Sequence, residues 1–400
     1  MLIDSPSPGS DPVLSGPALV QNLAFPTGGQ QLENLLSSPL TTCQELLTLH
    51  VRPGGPGQAF LVAQAAWGAD AGPVAQAAYG EIARVLQDQG LTIVHERLFG
   101  SLTVKPAVIS ARDAAFRASN LPVDGPFTYI QGQPPWGDGF AGAIIRAVRG
   151  LDPADKVWTI REQGKALGRG WRRQNTTFLL LQNIQGLVMG PQEVNTPPLQ
   201  AKRLIRRAAK ILESQGASFR DVVRTWFYLA DILAWYPEFN RSRTAIYEQF
   251  DILPGQGNGR LRLPASTGIR GEVSTGAASA LDLLAVVGQA ESRLPVKQLS
   301  NPGQQDAFQY GSAFSRGALL RQPEVSLIQV SGTAAIDEQG GIATILCHPL
   351  CMWLADRFKT FERILQRLAT RQTIFAREII GHMDHPPSRI AERLQCSRAY

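Results

Sequence analysis

Apolar and polar positions along this chain switch between two periods. Ala59 to Ala63 and Leu91 to Val94 are short apolar runs of strand type, and between them Tyr79 to Gln89 repeats its apolar residues with helical spacing. Glycine or proline punctuates most of the junctions. The segment Arg206 to Leu229, RRAAKILESQGASFRDVVRTWFYL, reads as an amphipathic helix, a Gln-Gly stop and a β-branched, aromatic strand. Tyr79 to Leu102, YGEIARVLQDQGLTIVHERLFGSL, has the same order, with Gln89-Gly90 as its stop. Phe358 to Met383 suggests a third copy: Phe358, Phe361, Ile364, Leu365 and Leu368 form a helical stripe ahead of the strand-like TIFAREII. Phe178 to Ile184 precedes a helix near residue 201, and Val325 to Thr333 precedes one near residue 353, at similar spacing.

These patterns predict an α+β fold made of repeated units of β-hairpin, helix, strand, helix and strand, with the helices covering one sheet face. The expected division is a loose extension over residues 1–40, rich in Ser, Pro and Gly, then units over 41–165, 166–290 and 291–400. Fewer residues remain after Gly332 than the middle unit spends between Asn183 and Val287. Past Gly341 the composition also shifts towards Cys, His and Met, so the last unit is expected to be incomplete after residue 341.

Composition narrows the function classes. With 18% charged residues and a net charge of +6, the 400-residue chain carries a mild basic excess, which argues against a nucleic-acid partner. No run approaches the roughly 20 apolar residues of a membrane span, and the start, MLIDSPSPGSDP, has neither a basic nor an apolar leader segment. A soluble, cytoplasmic protein without a membrane partner is expected. Cysteines at 43, 347, 351 and 396 make no plausible disulfide framework in a chain of this length, in keeping with a reducing compartment.

The richest chemistry lies in Asp221 to Phe250, DVVRTWFYLADILAWYPEFNRSRTAIYEQF, with LPASTGIRG following at Leu263 to Gly271. Its arginines, aromatic hydroxyls and Ser-Thr-Gly segment suit a small anionic, partly apolar ligand. Arg224 and Tyr228 are an even number of residues apart on a strand and so share a face, as a carboxylate clamp and a hydrogen-bond donor. The alternative for Arg224 is a surface ion pair. Arg241 and Arg243 are two apart on a helix and cannot share a face, so one is expected at the site and the other in water; Arg243 is taken as the site residue. Ser266, Thr267 and Gly268 read as a turn whose hydroxyls and N–H groups bind a carboxylate or position water, or else as a plain strand-entry turn. Trp136, among glycines, reads as a bend that packs on the next unit. Two motifs are rejected: PGQGNG at Pro254 to Gly259 lacks the lysine of a phosphate loop, and Cys347, His348, Cys351, His382 and His385 lack zinc-site spacing. No metal and no cofactor is expected.

Together these residues resemble the RidA/YjgF family, whose pattern of GASLDDVVKTTVYLTDM, helix and PARST is similar to QGASFRDVVRTWFYLADI, an aromatic helix and LPAST here. The chain more closely resembles the chorismatases, monomeric relatives built of degenerate RidA-like units and often labelled pteridine-dependent oxygenases. HERLFG (His95 to Gly100), PFTYIQGQPPWGDGFAG (Pro126 to Gly142), RTWFYLADILAWYPEFNRSRT (Arg224 to Thr244), LPASTGI (Leu263 to Ile269), YGSAFSR (Tyr310 to Arg316) and VSGTAAID (Val330 to Asp337) carry the likeness, in family order. The resemblance implies a monomer acting on chorismate or a similar dicarboxylate, releasing pyruvate from the enol ether to give a dihydroxycyclohexadienoate or a hydroxybenzoate. It adds Tyr310 to the expected ligand residues. The family's catalytic acid is a glutamate on the final strand of the last unit. The middle unit has LDLLAVV (Leu281 to Val287) at its own final strand and Ser266 where RidA deaminases carry the arginine of PARST, so it does not read as an imine deaminase by itself. With the last unit short, chorismate turnover is expected to be absent or very low, and the alternative is a RidA-like small-anion-binding protein or pseudoenzyme.

Overall fold

The computed structural model describes residues 40–332, apart from 44, 133, 189, 191–193, 255–262, 274, 289–295, 301–303 and 322–324. The expected third helix and strand over Phe358 to Met383, and the Cys347, His348, Cys351, His382 and His385 motif, lie outside the described residues, as does PGQGNG apart from its first proline.

Local sequence explains how each helix starts and stops. Helix α1 (Ala71–Asp88) begins at Asp70, whose carboxylate accepts the Gly72 N–H. Its apolar residues Val74, Ala78, Ile82 and Val85 recur at helical spacing and are buried. The chain leaves the helix through Gly90 at φ +59°, a left-handed turn open to glycine, and enters strand β4 (Thr92–Gly100). The second copy repeats this. Helix α3 (Pro197–Ser214) starts on prolines, leaves through Gly216 at φ +73°, and delivers the chain through a one-turn 3₁₀ helix at Phe219–Asp221 to strand β10 (Val222–Leu229).

The repeat extends to complete topology. β1 (Leu40–Cys43), β2 (Leu47–Pro53), β3 (Gln58–Ala65), β4, β5 (Thr128–Gln131) and β6 (Phe140–Val148) form a six-stranded sheet in the order β1-β2-β3-β6-β4-β5. β7 (Val157–Glu162), β8 (Lys165–Arg173), β9 (Thr176–Gln185), β10, β11 (Ala265–Arg270) and β12 (Ser279–Gly288) form another in the order β11-β10-β12-β9-β8-β7. Position for position the two orders are the same. In both, the strand before the second helix pairs in parallel with the strand after it: β4 with β5 around α2 (Lys105–Ala118), and β10 with β11 around α4 (Ile232–Gln249). A third, three-stranded sheet of β13 (Val296–Leu299), β14 (Gly317–Arg321) and β15 (Ser326–Val330) is an antiparallel meander like the opening of the other two. The fold is α+β. Strand β7 pairs with β8, so the break between the first two sheets falls between Val148 and Val157, ahead of the expected boundary at 165.

Helices cover one face of each six-stranded sheet. Residues of α1 and α2 share a buried cluster with the first sheet, and residues of α3 and α4 share one with the second. The helix-free faces turn towards each other: Val94 and Val148 of the first sheet, Phe178, Leu180 and Leu284 of the second, and Leu320 and Leu327 of the third form one buried cluster. Each six-stranded sheet thus has an outer face under helices and an inner face against its neighbours, and this division positions the functional residues. Trp136 packs against Trp67 at 5.3 Å between centroids and onto the core of its own unit, so the expected contact with the next unit is not where the structure places it.

Candidate functional site

Strand alternation along β10 decides the geometry. Arg224, Trp226 and Tyr228 point to the inner face, while Thr225 and Phe227 point outward, Phe227 meeting Phe239 of α4 at 4.9 Å between rings. A β-bulge at Val223, between the pairs Val222↔Ala285 and Arg224↔Leu284, sets this phase. The segment Ser266-Thr267-Gly268, expected as a turn, is instead the body of β11, paired in parallel with β10 as Thr225↔Ser266, Trp226↔Thr267 and Phe227↔Gly268. Pairing with β10 occupies one side of this edge strand, Ser331 Oγ and the Gly332 N–H take the Ser266 N–H and carbonyl on the other, and strand geometry sends the side chains to alternate sides. Ser266 faces outward, where the Thr225 hydroxyl donates to it at 2.9 Å, and Gly268 lies on the same side under Tyr236. Thr267 faces inward with Arg224.

The outer group gathers between α4 and the start of the third unit. Arg241 is exposed and paired with Glu238 at 2.7 Å, whereas Arg243 is buried. The Arg243 guanidinium packs on Phe239 at 5.2 Å and on Phe314 at 5.4 Å, and its Nη2 donates to Asn240 Oδ1 at 2.7 Å. Its buried Nε–H has no partner. Arg316, also buried, packs on Tyr310 at 5.3 Å and on the same Phe314 at 5.7 Å; its Nε donates to the Gln305 carbonyl at 3.1 Å, and its buried Nη1 has no partner. Burial lowers the pKa of Arg243, and burial raises that of Tyr310 against the opposing pull of Arg316. Arg316 stands in the YGSAFSR motif but is not among the ligand residues read from sequence; it lies in the bend just ahead of β14, and nothing local marks it as buried until the third sheet is placed.

The inner group centres on Trp226. The Arg224 guanidinium lies 4.8 Å from its ring and that of Arg97, from β4, 5.4 Å; the His95 ring is 5.0 Å away. Arg224 Nη2 donates to Thr267 Oγ1. Asp282, with no exposed surface, accepts from Thr128 Oγ1 at 2.6 Å, from the Asn183 N–H at 2.8 Å and from the Tyr228 hydroxyl at 3.4 Å, and lies 3.0 Å from His95 Nε2. Burial, and then the charge of Arg97, bring Arg224 down to about 9; burial brings His95 down to about 4 against the opposing hydrogen bond from Asp282. Burial and the charge of Asp282 push Tyr228 well up.

The residues picked from sequence therefore fall into two groups on opposite sides of the β10–β11 pair. Arg224, Tyr228 and Thr267 are inner; Arg243, Ser266, Gly268 and Tyr310 are outer. Asp282 and His95 were missed. Asp282 sits inside LDLLAVV, the strand that lacks the family's glutamate, and a lone acidic residue in an apolar strand is the signal of a paired buried charge. Among the described residues no group of three or more His, Cys, Asp or Glu side chains is arranged to hold a metal ion, and no described helix is long and apolar enough to cross a membrane.

No family model matches the chain, and no curated protein matches it. Solved structures do show likeness. A chorismatase crystal structure superposes with a TM-score of 0.45 and 12% identity, covering 62% of this chain and 80% of that one. A YjgF-family protein from Neisseria meningitidis gives 0.25 and 16%, covering 34% and 98%, and a YjgF/YER057c/UK114-family protein from Mycobacterium tuberculosis gives 0.25 and 16%, covering 33% and 100%.

Proposed function

We propose that the outer group binds chorismate or a similar small dicarboxylate, and that the chain is a chorismatase-like enzyme releasing pyruvate from it to leave a dihydroxycyclohexadienoate or a hydroxybenzoate. The observation that carries this is the pair of buried guanidiniums, Arg243 and Arg316, both packed on Phe314 and each with an unpartnered N–H. A buried guanidinium without a carboxylate is costly, and a dianion would supply one carboxylate to each fork. Phe314 offers an apolar surface to the ring between the carboxylates, and the Tyr310 hydroxyl a further donor. In the reaction the terminal carbon of the enol ether takes a proton, water adds to the oxocarbenium ion, and the resulting hemiketal collapses to pyruvate and the dihydroxycyclohexadienoate; the hydroxybenzoate outcome requires in addition that the ring lose one water and aromatise. The resemblance would draw the acid for this step from a final strand of the last unit, and among the described residues none is assigned to that role.

Among the described residues neither Arg243 nor Arg316 forms an ion pair, and the groups acting on Arg243 are the tyrosines 236, 247 and 310. This favours a second reading, a small-anion-binding protein that holds the dicarboxylate without turning it over. Calorimetric titration with chorismate, combined with a pyruvate assay, tests both. Binding with pyruvate release supports the enzyme, and binding alone supports the second reading. Absence of binding overturns both. Because the three sheets share one interior within a single chain, we further propose that the protein acts as a monomer, which sedimentation velocity would check.

A further inference from the structure

The inner group has a charge pattern that the outer site does not explain. Arg224 is 5% exposed, shares the Trp226 ring with Arg97, and forms no ion pair among the described residues; Arg97 adds to the unfavourable field on it. Arg224 Nη1 and Arg97 Nε are buried without partners. Thr267 Oγ1 accepts both from Arg224 and from the Gly332 N–H at 3.0 Å, which leaves its own O–H to donate. The guanidiniums of Arg97 and Arg224 outweigh the Asp282 carboxylate, Arg146, buried against Trp171 and also acting on His95, adds to the positive excess, and His95, held to about 4 by burial, is neutral at pH 7. Such a surplus is unfavourable in a buried interface unless an anion completes it. Arg97 and Thr267 are only half-buried, so a ligand has an approach from solvent.

We propose that this inner face is a second anion site, separate from the outer cleft, where Arg97, Arg224 and Thr267 hold the carboxylate of a small monoanion beside Trp226. The planar forks suit a carboxylate, which can lie in the plane of a guanidinium that is itself packed on the indole. Alternation along β10 and β11 keeps the two sites on opposite sides of the sheet, so one ligand cannot fill both. The inner site takes one negative charge where the outer takes two, and it stands whether or not the outer cleft binds chorismate.

The test is titration of the full chain with sodium acetate at fixed ionic strength, followed by calorimetry and tryptophan fluorescence, with sodium phosphate as a parallel arm. The wild type should bind acetate saturably. Arg224→Gln should weaken that binding about tenfold or more, Arg97→Gln similarly, and Thr267→Val about threefold, as expected for losing charged and neutral hydrogen bonds respectively. Arg243→Gln in the outer cleft should leave acetate binding within about twofold. If Arg224→Gln does not fold, Arg97→Gln and Thr267→Val, at half-buried positions, carry the test. Acetate binding that survives all three inner substitutions, or that is abolished by Arg243→Gln, overturns the proposal, as does a protein that binds phosphate but not acetate.

Discussion

His95 Nε2 and Asp282 Oδ2 lie 3.0 Å apart although 187 residues separate them in sequence, and the contact joins the first sheet to the second across their inner faces. Two irregularities bring them together. A bulge between Ile93 and His95 on β4 aims the imidazole, and a second, where β9 places Gln182 and Asn183 between the β12 pairs of Leu281 and Leu283, leaves the Asn183 N–H free to donate to the carboxylate. Asp282 is thus surrounded by donors from both sheets. Removing it would leave a buried hydroxyl on Thr128, a buried N–H on Asn183 and the His95 ring without their acceptor.

Asp282→Ala should therefore cost on the order of 3–5 kcal/mol of unfolding free energy, read from the denaturation midpoint at pH 7. Asp282→Asn keeps one carbonyl acceptor and should cost visibly less. Equal stability of Asp282→Ala and wild type would show that the two inner faces are not held as described.

The same contact predicts a pH dependence. Burial holds His95 near 4 in the folded chain, against 6.5 for an ordinary imidazole, so between these values the unfolded chain binds more protons. Stability should be full above pH 6.5 and should fall as the pH drops from 6.5 towards 4, by up to about 3 kcal/mol at 1.36 kcal/mol per unit. His95→Gln keeps a donor for Asp282 but cannot titrate; its stability curve should be flatter across that window. An unchanged slope in this variant would remove His95 as the cause.

On the outer side of the first sheet, Arg112 donates to both oxygens of Glu96, by Nε at 2.9 and 3.0 Å and by Nη2 at 2.8 Å, and the Tyr79 hydroxyl donates to the same carboxylate at 2.8 Å. Both charged side chains are essentially unexposed. Arg112→Leu alone strands a buried carboxylate and should cost about 3–5 kcal/mol in denaturant unfolding. Adding Glu96→Leu should recover part of that loss. A double-mutant cycle that is simply additive would contradict a coupled pair.

Gly142 has φ +140°, and a Cβ there would lie 2.0 Å from the Ala63 carbonyl oxygen of the paired strand. Gly142→Ala should destabilise the first sheet by roughly 2–4 kcal/mol, since both the backbone conformation and the neighbouring backbone resist it. Thermal unfolding would show this as a clear drop in Tm. Gly68, which also has positive φ but open space around it, serves as the comparison and should lose less on the same substitution.

What the sequence determined by itself was local and periodic. The Gln-Gly helix stops, the strands after them and the repeated order of elements follow from spacing and from glycine's access to positive φ, which need only near neighbours. Helical spacing also put Arg241 and Arg243 on different faces, but only packing on Phe239 and Phe314 decided that Arg243 is the buried one. The segment Ser266-Thr267-Gly268 went the other way: its composition reads as a turn, and only pairing with β10, set by the fold of a whole unit, makes it a strand. Tertiary structure likewise decided that Arg224 and Arg243 serve opposite faces, because alternation is visible in sequence but the partner of each face is not. It alone brought His95 to Asp282 and Arg243 to Phe314, contacts between units that depend on bulges and on sheet packing rather than on any short-range pattern.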